Sequence, residues 1–332
     1  MAGQTHPEEE VGVRGERKVQ RHLISDGRQS VTILDLGCAT QSWMVHHRGQ
    51  DVPVVLGYAE PDAYRYNPDF LGVIVGRMAG RTAGAGFEMD GERWALDCNE
   101  PPHHLHGGGR GLHTRQWGME PDGERAVRLS LVSPHGDQGY PGRLDLTVDI
   151  SLQDGWLVYD MQAVADRPTP VSLAQHSYYN LAGAGRIRDH HLTVPAGQYL
   201  PVDGDLVARG GLESVGGQPF DCRSAQVIAD TDPEERGVDM TFAGLEATEA
   251  QPVRLSAPNG LALEMVSDQP CLQYYTSGNL RPRHGANHGP GQGVCLEPQG
   301  YPNALNAGYP LSLATPEQPY RQVLRVRIGE AV

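Results

Sequence analysis

The chain of 332 residues contains no Cys-x-x-Cys pair. Its five cysteines (Cys38, Cys98, Cys222, Cys271, Cys295) are odd in number and widely spaced. That argues against a disulfide frame or a zinc site and fits reduced, mostly buried thiols. No run approaches the roughly 18 apolar residues a membrane helix needs, so no membrane partner is expected. The first ten residues, MAGQTHPEEE, lack both a basic start and an apolar h-region; no secretory signal is read there, and a cytoplasmic protein is expected. Positive charge is in deficit: 27 Lys and Arg against 41 Asp and Glu leave a formal charge of −14. Nucleic acid and anionic membranes are therefore poor partners, and a neutral or cationic small molecule is the better expectation. Also missing are an amphipathic helix of three turns, an internal repeat, a low-complexity block and any composition shift that would mark a linker.

What is abundant is turn chemistry. There are 42 glycines and 25 prolines, against average usage of about 7% and 5%. Between the turns runs a period-2 pattern. Ser30–Leu36 is a candidate strand, and Val127, Leu129 and Leu131 alternate with Arg128 and Ser130. Leu144, Leu146, Val148, Ile150 and Leu152 interleave with Asp145, Thr147, Asp149 and Ser151. Leu261, Leu263 and Met265 repeat the pattern, as do Leu324, Val326 and Ile328. One apolar and one polar face per strand is the mark of antiparallel sheets packed face to face. Asp90-Gly91, Asp122-Gly123, Asp154-Gly155 and Asn259-Gly260 sit where tight hairpins need positive φ. The expectation is an all-β fold, a large antiparallel β-sandwich in a single domain over residues 17–332, preceded by a frayed tail at 1–16.

Three stretches could carry chemistry. Val171–Gly183 reads V-S-L-A-Q-H-S-Y-Y-N-L-A-G, a run expected to form a half-buried strand ending at His176. A histidine held among hydroxyls and an amide can serve as acid or base; the alternative is a core histidine satisfied by its neighbours. Phe70–Thr82 holds two arginines, Arg77 and Arg81, each after a glycine in an apolar stretch. Buried guanidinium demands partners: structural carboxylates are expected for Arg77, while Arg81 could donate to ligand hydroxyls. In His103–Gly109 (H-H-L-H-G-G-G), His104 and His106 would share a face of an extended strand. No Cys, Asp or Glu completes a ligand set there, so no metal is expected, and the glycines point to close backbone approach to a ligand.

These motifs resemble the aldose 1-epimerases, or galactose mutarotases. The family's F-G-x-x-x-G-R-x-x-x-R is Leu71–Arg81, with Leu71 at the usual Phe; its L-H-G-G is Leu105–Gly108; its H-S-Y-F-N-L is His176–Leu181 with Tyr179 for Phe. L-P-V-D is Leu200–Asp203, P-F-D is Pro219–Asp221, Q-x-Y-T is Gln273–Thr276, and L-E-x-Q-x-x-P-x-A-x-N is Leu296–Asn306. Seven matches fall in family order. The resemblance implies a galactose mutarotase-like supersandwich that interconverts the α and β anomers of a free aldose without cofactor or metal. It implies His176 as general acid and Glu297 as general base, with Arg81, His106, Asp239 and Gln273 as sugar ligands. Such a protein would have a monosaccharide as its partner and be a monomer or homodimer.

The residues agree with that chemistry. Opening a pyranose requires removing a proton from the anomeric hydroxyl while adding one to the ring oxygen. Glu297 follows a short apolar run, Gly293-Val-Cys-Leu, so partial burial would raise its pKa. The two residues are expected to flank a pocket about a sugar ring's width across. Three departures from the family pattern stand out: Gly80 where Asn is usual before the second arginine, Met240 for His, and Asn303 for Asp. Met240 would remove a polar group near Asp239, and Asn303 a charge near Glu297. The rival readings are a glycoside hydrolase using Asp239 and Glu297, a sugar binder without turnover, and a mutarotase of phosphorylated hexoses using Arg281, Arg283 and His284.

Overall fold

The computed structural model describes residues 17–330, so the tail expected at 1–16 lies outside the described residues. Strands dominate it. The α-helices among the described residues are two four-residue turns, Ile228–Thr231 and Ala304–Ala307.

Three antiparallel sheets carry the architecture. A four-stranded meander comprises Arg21–Ser25, Gln29–Leu34, Thr40–His47 and Gln50–Pro53. A nine-stranded sheet runs in the order Gly118–Asp122, Ala126–Ser133, Leu144–Gln153, Trp156–Ala165, Tyr320–Glu330, Leu261–Ser267, Val253–Ser256, His191–Thr193, Gln226–Val227. A six-stranded sheet runs Tyr178–Tyr179, Val294–Gln299, Cys271–Tyr275, Asp239–Ala243, Gln198–Leu200, Glu213–Ser214.

The period-2 runs became strands as their alternation requires. Leu144–Gln153 buries Leu144, Leu146, Val148, Ile150 and Leu152, with Asp145 exposed between them. Asp154 and Gly155 then adopt φ of 50° and 82°, the paired positive values of a two-residue hairpin turn. One apolar cluster joins the inner faces of all three sheets: Val148, Ile150 and Val326 from the nine-stranded sheet, Ile33 and Trp43 from the meander, Phe242, Leu272, Tyr274 and Leu296 from the six-stranded sheet. Burying a side chain of this size contributes about 1.5–3 kcal/mol.

Two expectations need correction. Val171–Gly183 is not a half-buried strand, because residues 169–181 are buried throughout. The segment crosses between layers in two-residue steps, Ala174–Gln175 pairing with Ile74–Val75 and Tyr178–Tyr179 with Val294 and Cys295. With neighbours on both faces its polar members satisfy one another, as Gln175 Nε2 does by donating to Ser177 Oγ at 2.7 Å. Arg77 is structural as expected, but its partners are not carboxylates. Its guanidinium donates to the carbonyls of Ser133, Pro134, Pro141 and Gly142 and to Ser133 Oγ. Burial draws its pKa down to about 10.

Candidate active site

The six-stranded sheet has two faces, and strand alternation assigns each residue to one of them. Met240, Phe242, Leu272, Tyr274, Val294 and Leu296 point into the main core. Their odd-numbered neighbours point the other way, and Asp239, Thr241, Gln273, Tyr275, Glu297 and Gln299 line one cleft. Register then sets them side by side: Thr241 opposite Gln273 opposite Glu297, and Asp239 opposite Tyr275 opposite Cys295 opposite Tyr178. Residues far apart in the chain thus form two rows on one floor.

His176 enters from the buried crossing segment. Its backbone is held from both sides, its N–H donating to Val73 O and its carbonyl accepting from Gly72 N–H, each at 2.9 Å. The imidazole stacks on Phe70 with ring centroids 5.7 Å apart, and meets His106 edge-on at 5.4 Å. Its Nδ1 lies 3.6 Å from Cys295 Sγ, and its Nε2 lies 3.6 Å from Glu297 Oε1. Imidazole and carboxyl are therefore neighbours on one wall, closer than the ring's width expected from sequence.

Arg81, from a short strand pairing with His104–Leu105, forks onto Glu100 and turns its remaining nitrogen toward Asp239 Oδ2 at 3.9 Å. Gln273 Nε2 donates to Asp239 Oδ1, and Gln273 Oε1 accepts from Thr241 Oγ1. His106 leaves the strand at φ 51° and takes a hydrogen bond from Gly80 N–H on its Nδ1 at 3.2 Å. This separates it from His104, which is tied to Asp97 O and Tyr140 OH, so the two do not share a face. The glycines after His106 do not line the cleft. A Cβ on Gly107 would sit 1.6 Å from Gly76 O, so the close approach is to the protein's own backbone.

Burial dominates the electrostatics. It lowers the His176 pKa to about 4 and holds His106 well below the usual imidazole value. It lifts the Glu297 carboxyl well above the carboxylate range, with Asp239 adding to the rise. Burial thus favours the neutral forms of both, a protonated Glu297 beside an unprotonated His176. Glu297 Oε2 has no partner. The cleft encloses about 210 Å³, below the roughly 300–1,000 Å³ of pockets for drug-sized ligands and on the scale of one monosaccharide. Among the described residues, His176, Cys295 and Glu297 form a group with metal-ligand atoms close together, all within 4.8 Å of one another.

The family model for aldose 1-epimerase matches residues 20–327. The chain belongs to the aldose 1-epimerase family. It is 36% identical to the galactose mutarotase of Mus musculus over 315 residues, covering 91% of this chain and 92% of that protein. It is 34% identical to the aldose 1-epimerase of Escherichia coli K12 over 300 residues, covering 86% of each. Among solved structures, an aldose epimerase homologue from C. elegans superposes with a TM-score of 0.90 at 24% identity, covering 95% of this chain and 100% of that one. A galactose 1-epimerase from Lactobacillus acidophilus gives 0.84 at 27% identity, covering 96% and 98%.

In this aldose 1-epimerase family member all six residues singled out from sequence, His176, Glu297, Arg81, His106, Asp239 and Gln273, meet in the one cleft. Met240 packs against the main core and also borders the cleft beside Asp239. Asn303 accepts from Ala83 N–H and donates to Ala208 O, bridging two loops. Arg283 is paired with Asp69, His284 Nε2 is bound to Tyr66 O and Arg281 donates to the carbonyls of Gly278 and Leu280; none of the three lines the cleft. Sequence reasoning missed Phe70, Tyr178, Cys295, Gln299 and Glu100. Tyr178, Cys295 and Gln299 carried a usable signal, since each stands one strand period from His176 or Glu297. Phe70 and Glu100 carried none.

Proposed function

We infer that the chain is an aldose 1-epimerase that interconverts the α and β anomers of a free aldose, with His176 and Glu297 as its proton-transfer pair. The observation that carries this reading is the 3.6 Å approach of His176 Nε2 to Glu297 Oε1 at the floor of a monosaccharide-sized cleft. The reaction needs one proton on that pair at every stage. With it on His176, the Glu297 carboxylate takes the anomeric proton while the imidazolium protonates the ring oxygen. The aldehyde rotates about C1–C2 and recloses on its other face as the two residues exchange roles. Ring opening thereby converts an ion pair into the neutral pair that burial favours, which lowers the cost of the open-chain state.

Arg81, His106, Asp239 and Gln273 are the sugar ligands in this reading. Arg81 and Asp239 supply charge-assisted hydrogen bonds, and Gln273 supplies an amide already oriented by Thr241 and Asp239. The names of the relatives support galactose as the first sugar to test. The hydrolase reading gives His176 no task and is not favoured. The span of the family match supports residues 17–332 acting as a single sandwich domain.

The test is anomerisation followed by polarimetry on galactose, glucose, xylose and arabinose, with aryl-glycoside release in parallel. Wild type is expected to anomerise at least one sugar and release no aryl group. Glu297→Gln and His176→Ala are each expected to lose about 10²–10⁴-fold in rate. Full activity in either variant would overturn the assignment.

A further inference from the structure

Gln299 is 1% exposed, yet neither its Nε2 nor its Oε1 has a partner. A buried amide with both ends unpaired is destabilising, and native folds satisfy nearly all such groups. The residue stands on the cleft face of Val294–Gln299, two positions beyond Glu297 and so roughly 6.8 Å along the strand from it. Across from it is Gly80, with φ +76°. A Cβ at position 80 would come within 2.8 Å of Pro302 Cβ and 3.9 Å of Gln299 Nε2. Any longer side chain there would crowd Pro302 and fill the space before the amide; glycine leaves it open.

We propose that Gln299 is a sugar ligand that takes two vicinal hydroxyls on the part of the ring remote from the anomeric carbon. One hydroxyl accepts from Nε2–H and its neighbour donates to Oε1. A carboxamide presents one donor and one acceptor side by side in a plane, which matches two adjacent hydroxyls and leaves neither end unpaired. With the anomeric carbon against the His176–Glu297 pair, the strand spacing puts the amide about one ring's length away. Gln273 and Asp239 address the sugar from the next two strands of the sheet and Arg81 from a separate short strand. The proposal rests on the reading of this chain as an aldose 1-epimerase.

The experiment compares kcat/KM for galactose and its 2-, 3- and 4-deoxy analogues in wild type and Gln299→Met, an apolar variant of similar shape; Gln299→Leu serves as the second variant. Wild type is expected to lose about tenfold on two adjacent deoxy sugars. Gln299→Met is expected to lose about tenfold on galactose but to show little further loss on those same two analogues. Its melting temperature is expected to hold or rise, because the variant removes two unpaired polar atoms; a purely structural glutamine would lower it. Equal deoxy penalties in wild type and variant, or a lower melting temperature in both variants, would overturn the proposal while leaving the epimerase reading intact. A wild-type protein that anomerises none of the sugars would overturn both.

Discussion

Glu100 grips Arg81 with both carboxylate oxygens, Nε to Oε2 at 2.6 Å and NH2 to Oε1 at 2.9 Å. That leaves only the remaining nitrogen free to turn toward Asp239. The acid at 100 therefore sets the aim of a guanidinium that faces the sugar cleft. Replacing Glu100 with Gln keeps the shape and removes the charge-assisted fork. The expected result is a KM raised about five- to tenfold with kcat changed less, read from steady-state polarimetry. An unchanged KM would show that Arg81 is aimed by something else.

The buried carboxyl of Glu297 bears on stability. Burial raises its pKa in the fold, so the stability linked to it is present below the ordinary carboxylate range and is lost as pH rises through the raised value. At pH 7 to 8, Glu297→Gln is accordingly expected to be more stable than wild type by about 1–2 kcal/mol. The gap should shrink toward pH 4. Thermal melts across that range decide it, and a variant less stable than wild type at pH 8 would contradict it.

His176 has the opposite sign. Its pKa falls from the model-peptide value of 6.5 to about 4 in the fold, so the unfolded chain binds more protons between those values. Stability is thus lost as pH falls from 6.5 through 4. On acidification from pH 7 to pH 4, wild type is expected to lose about 2–3 kcal/mol that His176→Gln does not. Parallel acid unfolding curves for the two proteins would refute this.

Arg77 tests the scaffold apart from the chemistry. Its guanidinium is buried and satisfies four carbonyls and a hydroxyl, all but the Pro134 carbonyl from buried residues. Arg77→Met leaves those acceptors unpaired and is expected to cost at least about 3 kcal/mol. Denaturant midpoints measure the loss. A midpoint within error of wild type would mean that the loops at Ser133 and Pro141 satisfy themselves.

The sequence by itself determined the strands and their faces. Period-2 alternation in Leu144–Gln153 or Tyr320–Glu330 states which side chains are buried, because a strand has only two faces. Asp239, Gln273 and Glu297 were named through the resemblance of their motifs to the family's, and the same two-face rule accounts for their lining one cleft. Tertiary structure alone decided what surrounds them. The fork of Glu100 on Arg81, the stack of Phe70 on His176 and the contact of Cys295 with Nδ1 join segments up to 119 residues apart. No local pattern encodes such pairings, since strand order and loop paths set them. The pKa shifts of the central pair were decided there too: desolvation depends on how many neighbours close over a group, and that number exists only after the chain has folded.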